Sequence, residues 1–445
     1  MLRSSSPKIS ILLHALLFLI VASSALNYWS VAEYAINVSW NAYYYSKASY
    51  ISLVPSWQKA LKDLFAFLLL LGSLWFPRTT PNQGLNKNNA LVICYALSLV
   101  ILSIAILRSI DSNFTVIMIF SCLRPFLLVV AIFVFCHRHL QPYYLRWVLE
   151  AINILALIQV FYAYLQRRAA IIHNGFDWFH SGSARAVGTF ISPNTMALFL
   201  ALVFYLNYSI LPPHKFRFLM LPLCAIGIFF TGSRTGLIII ALIWIIESYK
   251  KIGKAYKINM FKDKYLAVFI ALPILFSIFI FTLRNVNSIS GRVSSSTMTD
   301  GRLIIFNSLI KESDILSLLF GHHLGFGSNI AKTLFETSGK SNDTFFLSDS
   351  TFASLLAQFG ILGLLITGII IYIFLQKNTY NIIHTNKPYI ALLFTGKLKK
   401  EKTCFFIYLI SILATIIIFE FYAVLPIIVS LLFYFKMPDI IFENN

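Results

Sequence analysis

The sequence predicts an all-α polytopic integral membrane protein of about twelve transmembrane helices with one large outer loop. Three observations carry this. The 445-residue chain is 58% hydrophobic and only 12% charged, about half the charged fraction of a typical soluble domain. Apolar runs of roughly 18 or more residues, enough to cross a bilayer as helix, recur from end to end. No polar stretch is long enough to form a separate soluble domain, so residues 1–445 form a single membrane domain.

The expected spans are approximately 9–27, 59–76, 89–107, 113–136, 147–165, 193–211, 218–232, 235–249, 265–283, 351–375, 403–419 and 421–435. The first also resembles a signal peptide, with a basic start and small residues at Ala22-Ser23-Ser24-Ala25. Its apolar run is long enough to favour a retained helix. Arg124, beside Pro125, lies within the 113–136 span, so it must face protein or a polar cavity. It is either a structural pin or part of a site. The five cysteines fall in or at the edges of spans without metal-ligand spacing and read as small core residues.

The net charge of +19 raises the possibility of nucleic acid binding. Its placement argues instead for membrane topology. With the N-terminus inside, the inner segments hold most of the basic residues, including six lysines in "KKIGKAYKINMFKDK" (250–264). This is the positive-inside pattern, and it puts both termini in the cytoplasm. The excess charge also attracts anionic lipid.

The outer segments are richer in arginine than in lysine: Arg108, Arg167, Arg168, Arg185, Arg234, Arg284, Arg292 and Arg302. Orientation requires none of them. Arg234 sits in the short connection "TGSRTG" between two apolar runs. It can snorkel to the interface, but such a tight turn has little freedom to aim it away from the protein. A guanidinium is well suited to a phosphate, because its planar fork gives bidentate charge-assisted hydrogen bonds. Arg185, Arg234 and Arg302, each beside a span or interfacial helix, together suit a lipid-linked diphosphate. No metal and no cofactor is called for: Glu312 and Asp314 are the only close acidic pair outside.

Three outer segments remain. Residues 28–57 are rich in Trp and Tyr, which reads as a headgroup belt or a sugar-stacking surface. Residues 166–192 read as a loop. The large loop, 284–350, contains an expected interfacial helix in "TDGRLIIFNSLI" and the turn-rich "FGHHLGFGSN", whose glycines let backbone approach closely. His322 and His323 in that strip are polar loop residues, sugar contacts or alternative bases. Asp349 stands where the loop re-enters the membrane. It either caps the next helix or serves as base for an acceptor hydroxyl, and the two roles are compatible.

Three stretches in order resemble the O-antigen polymerase and O-antigen ligase superfamily of bacterial envelope glycosyltransferases. They are "RAVGTFISPNTMALFLAL" (185–202), "TGSRTGLIIIAL" (231–242), and 300–365 from "DGRLIIFNSLI" through "LLFGHHLGFG" to "SDSTFASLLAQFGILGLL". The resemblance spans roughly 180–370. It implies a metal-independent glycosyltransferase at the periplasmic face of the inner membrane. Such an enzyme moves a glycan from undecaprenyl diphosphate to a sugar acceptor, with Arg185, Arg234 and Arg302 on the diphosphate. It also implies a chain-length regulator and a flippase as partners. Ligases carry a His-Asn pair where this chain has Asp349-Ser350, and that departure favours polymerase over ligase. A transporter of lipid-linked sugars is the remaining alternative, but it needs charged residues along a path through the spans. Here Arg124 is the clear basic one.

Overall fold

The computed structural model describes residues 7–37, 54–79, 89–111, 115–174, 185–190, 192–211, 215–233, 235–244, 310, 313–326, 351–375 and 423–434. The regular elements among them are helices: α1 (Pro7–Ala25), α2 (Trp29–Asn37), α3 (Ser56–Trp75), α4 (Asn89–Asp111), α5 (Val116–His139) and α6 (Pro142–Asn174). They continue with α7 (Pro193–Tyr205), α8 (Lys215–Thr231), α9 (Thr235–Trp244), α10 (Ile315–Phe320), α11 (Thr351–Leu375) and α12 (Leu425–Tyr434).

Among the described residues, six helical stretches are long and apolar enough to cross a membrane: Pro7–Ala25, Ile93–Asp111, Ile119–His139, Pro142–Ala170, Pro193–Ile210 and Leu355–Ile373. The expected spans at 218–232, 235–249 and 421–435 appear as shorter apolar helices. The expected span at 59–76 is α3, whose first turns carry Lys59, Lys62 and Asp63. The spans expected at 265–283 and 403–419 lie outside the described residues, as does most of the 284–350 loop. The fold is that of a helical membrane bundle.

α1 is central. Leu13, Leu17, Ile20 and Val21 are fully buried, and the helix packs against α3 on one side and α6 on the other. α3 packs on α5, α12 on α5, α11 on α4, and α8 on both α6 and α7. Large apolar side chains such as Trp75, Phe218, Phe120 and Leu99 remain exposed on the outside of the bundle, as expected where lipid is the solvent. Cys94, Cys122, Cys136 and Cys224 are buried free thiols.

Helix directions follow from contacts at their ends. Gln58 Nε2 donates to the Leu26 carbonyl at 3.2 Å, so α3 begins where α1 ends. α5 runs parallel to α3: Arg124 meets Asp63 near their starts, and Arg138 Nη2 donates to the Phe76 carbonyl at 3.3 Å near their ends. The short 112–115 link therefore puts the C-terminus of α4 at the same end of the bundle as Ala25. At the opposite end His14 Nδ1 donates to the Ser10 carbonyl and Nε2 accepts from Gln141 N–H, seating the start of α6 on α1.

One boundary differs from expectation. The 147–165 span is part of a helix of 33 residues reaching Asn174, about 50 Å at 1.5 Å per residue. Gln166, Arg167 and Arg168, expected to open a loop, are its last turns. The charges end the apolar run but not the helix, because nothing between Pro142 and Gly175 breaks it. The 28–57 segment likewise begins as helix α2, where the Trp29 ring packs edge-on against Tyr162 at 4.8 Å.

Arg124 forms an ion pair with Asp63 across α5 and α3. Both side chains remain partly exposed, so the pair is expected to contribute modestly. A double-mutant cycle on Asp63→Ala and Arg124→Ala, read by thermal unfolding in detergent, should give a coupling of about 1 kcal/mol. Strictly additive losses would mean that the pair stabilises nothing.

Candidate functional site

The first motif, Arg185 to Phe190, is irregular backbone inside a helical bundle. Ala186, Val187, Gly188, Thr189 and Phe190 are all buried. Buried peptide groups need partners, and α6 provides them. Gln166 Oε1 accepts from the N–H groups of Val187 and Gly188, both at 3.0 Å, and its Nε2 donates to the Gly188 carbonyl at 2.8 Å. Two helical turns earlier, Gln159 Oε1 accepts from Thr189 N–H at 2.9 Å. Its Nε2 donates to Thr189 Oγ1 at 2.6 Å and to the Ala25 carbonyl at 3.2 Å. Thr189 Oγ1 itself donates to Ala25 at 2.6 Å. Gly188 has φ +58°, and a Cβ there would lie 2.3 Å from Gln159 Oε1. Both the conformation and the space require glycine.

This clamp sets the direction of Arg185. Its Nε donates to the Thr231 carbonyl at 2.8 Å, and Nη2 donates to Asn194 Oδ1 at 2.9 Å. Ala186 N–H donates to the Phe230 carbonyl at 3.0 Å. Thr231 ends α8 and opens the Gly232-Ser233 turn, and the Arg185 side chain lies along Gly232. Arg185 is thus joined to the turn that leads into Arg234, across 46 residues of sequence. Asn194 belongs to the first turn of α7, capped by Ser192, whose Oγ accepts from Asn194 N–H.

A second irregular segment, Gly321–Phe326, is held by the same kind of device. Arg108, near the end of α4, donates through Nη1 to the Gly321 carbonyl and to Ser317 Oγ. Ser109 Oγ accepts from Leu324 N–H at 3.0 Å, and Gln358 Oε1 accepts from Gly325 N–H at 3.0 Å. His322 N–H donates to the Ala357 carbonyl at 2.8 Å. α11 departs from helical geometry at Gly360, with φ +65°. A Cβ on Gly321 would lie 2.2 Å from the Gln358 carbonyl oxygen, and one on Gly360 2.2 Å from that of Leu319. The close approach foreseen for the glycine strip is an approach to α11.

Within this turn His322 Nε2 lies 2.8 Å from Ser313 Oγ, and its ring stacks on Phe326 at 4.3 Å. His323 is buried and bonds through Nδ1 to the Leu324 carbonyl. Burial lowers both imidazole pKa values. Arg108 lowers that of His322 further, against an opposing pull from Asp314. Asp314 caps α10 by accepting from Ser317 N–H, and the Ser317 hydroxyl first, with that N–H adding to it, holds its carboxyl below the usual range.

Both segments sit at the Ala25 end of the bundle, since α1, α4, α6 and α8 finish there and α7 starts there. Of the residues singled out in sequence, Arg185, Arg124, His322 and His323 are described. Arg234, Arg302 and Asp349 lie outside the described residues. Arg124 pairs with Asp63 on α3. No group of three or more His, Cys, Asp or Glu able to hold a metal occurs among the described residues. Sequence reasoning missed Gln159 and Gln166. Two amides seven residues apart, Gln159 within the apolar run and Gln166 at its end, were the available signal. It also left Arg108 without a role, and Arg108 ties the glycine turn to α4.

Residues 219–368 match the family model described as O-antigen ligase, Wzy_C. That match supports the O-antigen polymerase and ligase superfamily. Members of this superfamily are enzymes acting on lipid-linked glycans, and the match together with the apolar helices supports a membrane protein of polysaccharide biosynthesis. No curated protein matches the chain. The superfamily match begins after Arg185, yet the Arg185 side chain lies on Thr231 within it.

Two predictions follow from these clamps. Gln166→Leu removes the acceptor of two buried N–H groups, each costing about 1–3 kcal/mol when left unmade. The thermal midpoint in detergent should fall markedly; an unchanged midpoint would show that the loop finds other partners. For the histidines, folded pKa values below the ordinary 6.5 mean that the unfolded chain binds more protons. Their stabilising contribution is present above that value and is lost as pH falls toward the lowered folded values. A His322→Asn, His323→Asn variant should lose less stability than wild type between pH 7 and pH 5.

Proposed function

We propose that this protein polymerises undecaprenyl-diphosphate-linked oligosaccharide repeat units, of O-antigen or capsule, at the periplasmic face of the bacterial inner membrane, with both termini cytoplasmic. The observation that carries the reading is the bond from Arg185 to Thr231, which joins one arginine motif to the turn bearing the other. Two guanidinium-bearing segments so joined favour a ligand of high local negative charge, and a diphosphate is the leaving group of this reaction class.

In this reading the anomeric carbon–oxygen bond to the diphosphate breaks as the acceptor hydroxyl bonds to the same carbon. Arg185, Arg234 and Arg302 stabilise the charge developing on the leaving diphosphate. Asp349 takes the acceptor proton. His322 and His323 contact sugar. The acceptor is a second lipid-linked repeat unit, and a chain-length regulator and a flippase act alongside. Asp349-Ser350 in place of a His-Asn pair supports polymerase over ligase, whose acceptor is the lipid A-core. The Asp63 partner of Arg124 weakens the transporter reading, since it gives that intramembrane charge a structural role.

The test is an envelope polysaccharide gel from a strain lacking the gene. Polymerase function predicts a single repeat unit on lipid A-core, with long chains restored by the wild-type gene. Arg234→Ala and Asp349→Asn genes, expressed at wild-type level, should fail to restore them. Unmodified core with full-length polymer on its carrier would establish the ligase instead.

A further inference from the structure

The Gly232-Ser233 turn brings a serine to the start of a helix without using it there. Ser233 stands at the N-cap of α9, because its carbonyl accepts from Leu237 N–H at 3.3 Å. Its own N–H donates to Thr231 Oγ1 at 3.1 Å. A serine in this position ordinarily accepts from an N–H of the first turn. Ser192 does so for α7, taking the Asn194 N–H at 3.3 Å. Among the described residues Ser233 Oγ has no hydrogen-bond partner, although the residue is only 1% exposed.

The hydroxyl and the helix start point to the same kind of ligand. A buried hydroxyl that neither donates nor accepts is unfavourable, and folding alone would select alanine or a rotamer that caps the helix. The first-turn N–H groups of α9 have no acceptor within the helix, and they carry the positive end of its dipole. An N-cap side chain stands over these groups. One O–H beside two N–H groups forms a set of donors for a single anion. Gly232 and Thr235, flanking the serine, are partly exposed, so the turn has an outer surface beside the hydroxyl. Rotation about the Ser233 χ1 bond turns Oγ toward it. Gly236, in the same first turn, sits against α7, where a Cβ on it would lie 2.9 Å from Ala197 Cβ. The starts of α7 and α9 therefore lie side by side, and their positive ends reinforce one another.

We propose that the start of α9 is a phosphate site: Ser233 Oγ and the N–H groups of Thr235 and Gly236 donate to oxygens of the donor's diphosphate, which then caps the helix. This rests on the donor reading above and adds neutral donors to it. The experiment uses purified wild type, Ser233→Ala and Ser233→Asp in nanodiscs. It measures binding of undecaprenyl diphosphate and of undecaprenol, which lacks phosphate, with thermal unfolding on the same samples. Ser233→Ala removes a hydroxyl that caps nothing, so its unfolding temperature should match or exceed that of wild type. It should bind undecaprenyl diphosphate about tenfold more weakly, with undecaprenol binding unchanged. Ser233→Asp puts a carboxylate cap on α9, so it should unfold at a higher temperature and lose more diphosphate binding than Ser233→Ala.

Wild-type affinity for the diphosphate in Ser233→Ala would overturn the proposal. An equal loss for undecaprenol would overturn it too, since Ser233 would then serve the lipid chain. So would a fall in the unfolding temperature of Ser233→Ala in step with its loss of binding, which would make the serine an ordinary cap. Wild-type protein that binds the diphosphate no better than undecaprenol would overturn the donor reading beneath it.

Discussion

Two glutamine side chains satisfy the backbone of a buried loop that has no helical hydrogen bonds of its own to do so. Gln159 and Gln166 are fully buried on α6. Within a membrane bundle, non-helical backbone persists only where protein or trapped solvent satisfies it. The amide group suits this duty because it donates and accepts from one planar end. Seven residues apart, the two amides stand on one face of the helix and meet consecutive peptide groups of Val187, Gly188 and Thr189. Remove that support and the loop has no reason to hold Arg185 at the end of α8. The start of α7 and the end of α1 are tied into the same knot through Ser192, Asn194 and Ala25.

The glycine turn at 321–326 solves the same problem with different residues. Arg108, Ser109 and Gln358 serve its peptide groups from α4 and α11. In both segments the helices are scaffold and the chain they hold is irregular. Such backbone is fixed by side chains rather than by its own ladder, so its position is set by helix packing far from the turn. This is the physical meaning of loose motifs. The glycines and arginines are visible, while the amides and hydroxyls that hold them are scattered over helices distant in sequence.

That division also explains what the sequence made legible. Apolar runs are set by the bilayer, so α1, α4, α5, α7 and α11 were read to within a few residues. The end of α6 was not, because hydropathy reports where lipid stops and says nothing of where hydrogen bonding stops. The kinship of the Arg185 and Ser233 segments was readable from their order. Their contact was not, since it depends on α6 amides that lie outside both segments and carry no sign of which backbone they serve. Arg124 was identified as a residue needing a partner, but Asp63 lies 61 residues away and only packing selects it.

The bond from Thr189 to Ala25 has a consequence for biogenesis. The two residues are 164 positions apart. At translation speeds of about 5–20 residues per second, the carbonyl on the first helix waits on the order of 10 to 30 s for its donor. Five of the described helices, α2 to α6, are synthesised in that interval. The first helix must keep its place until the loop arrives, so the site is assembled from the oldest and the middle-aged parts of the nascent chain. Its completion is a late checkpoint on whether the early helices entered the membrane in the right order.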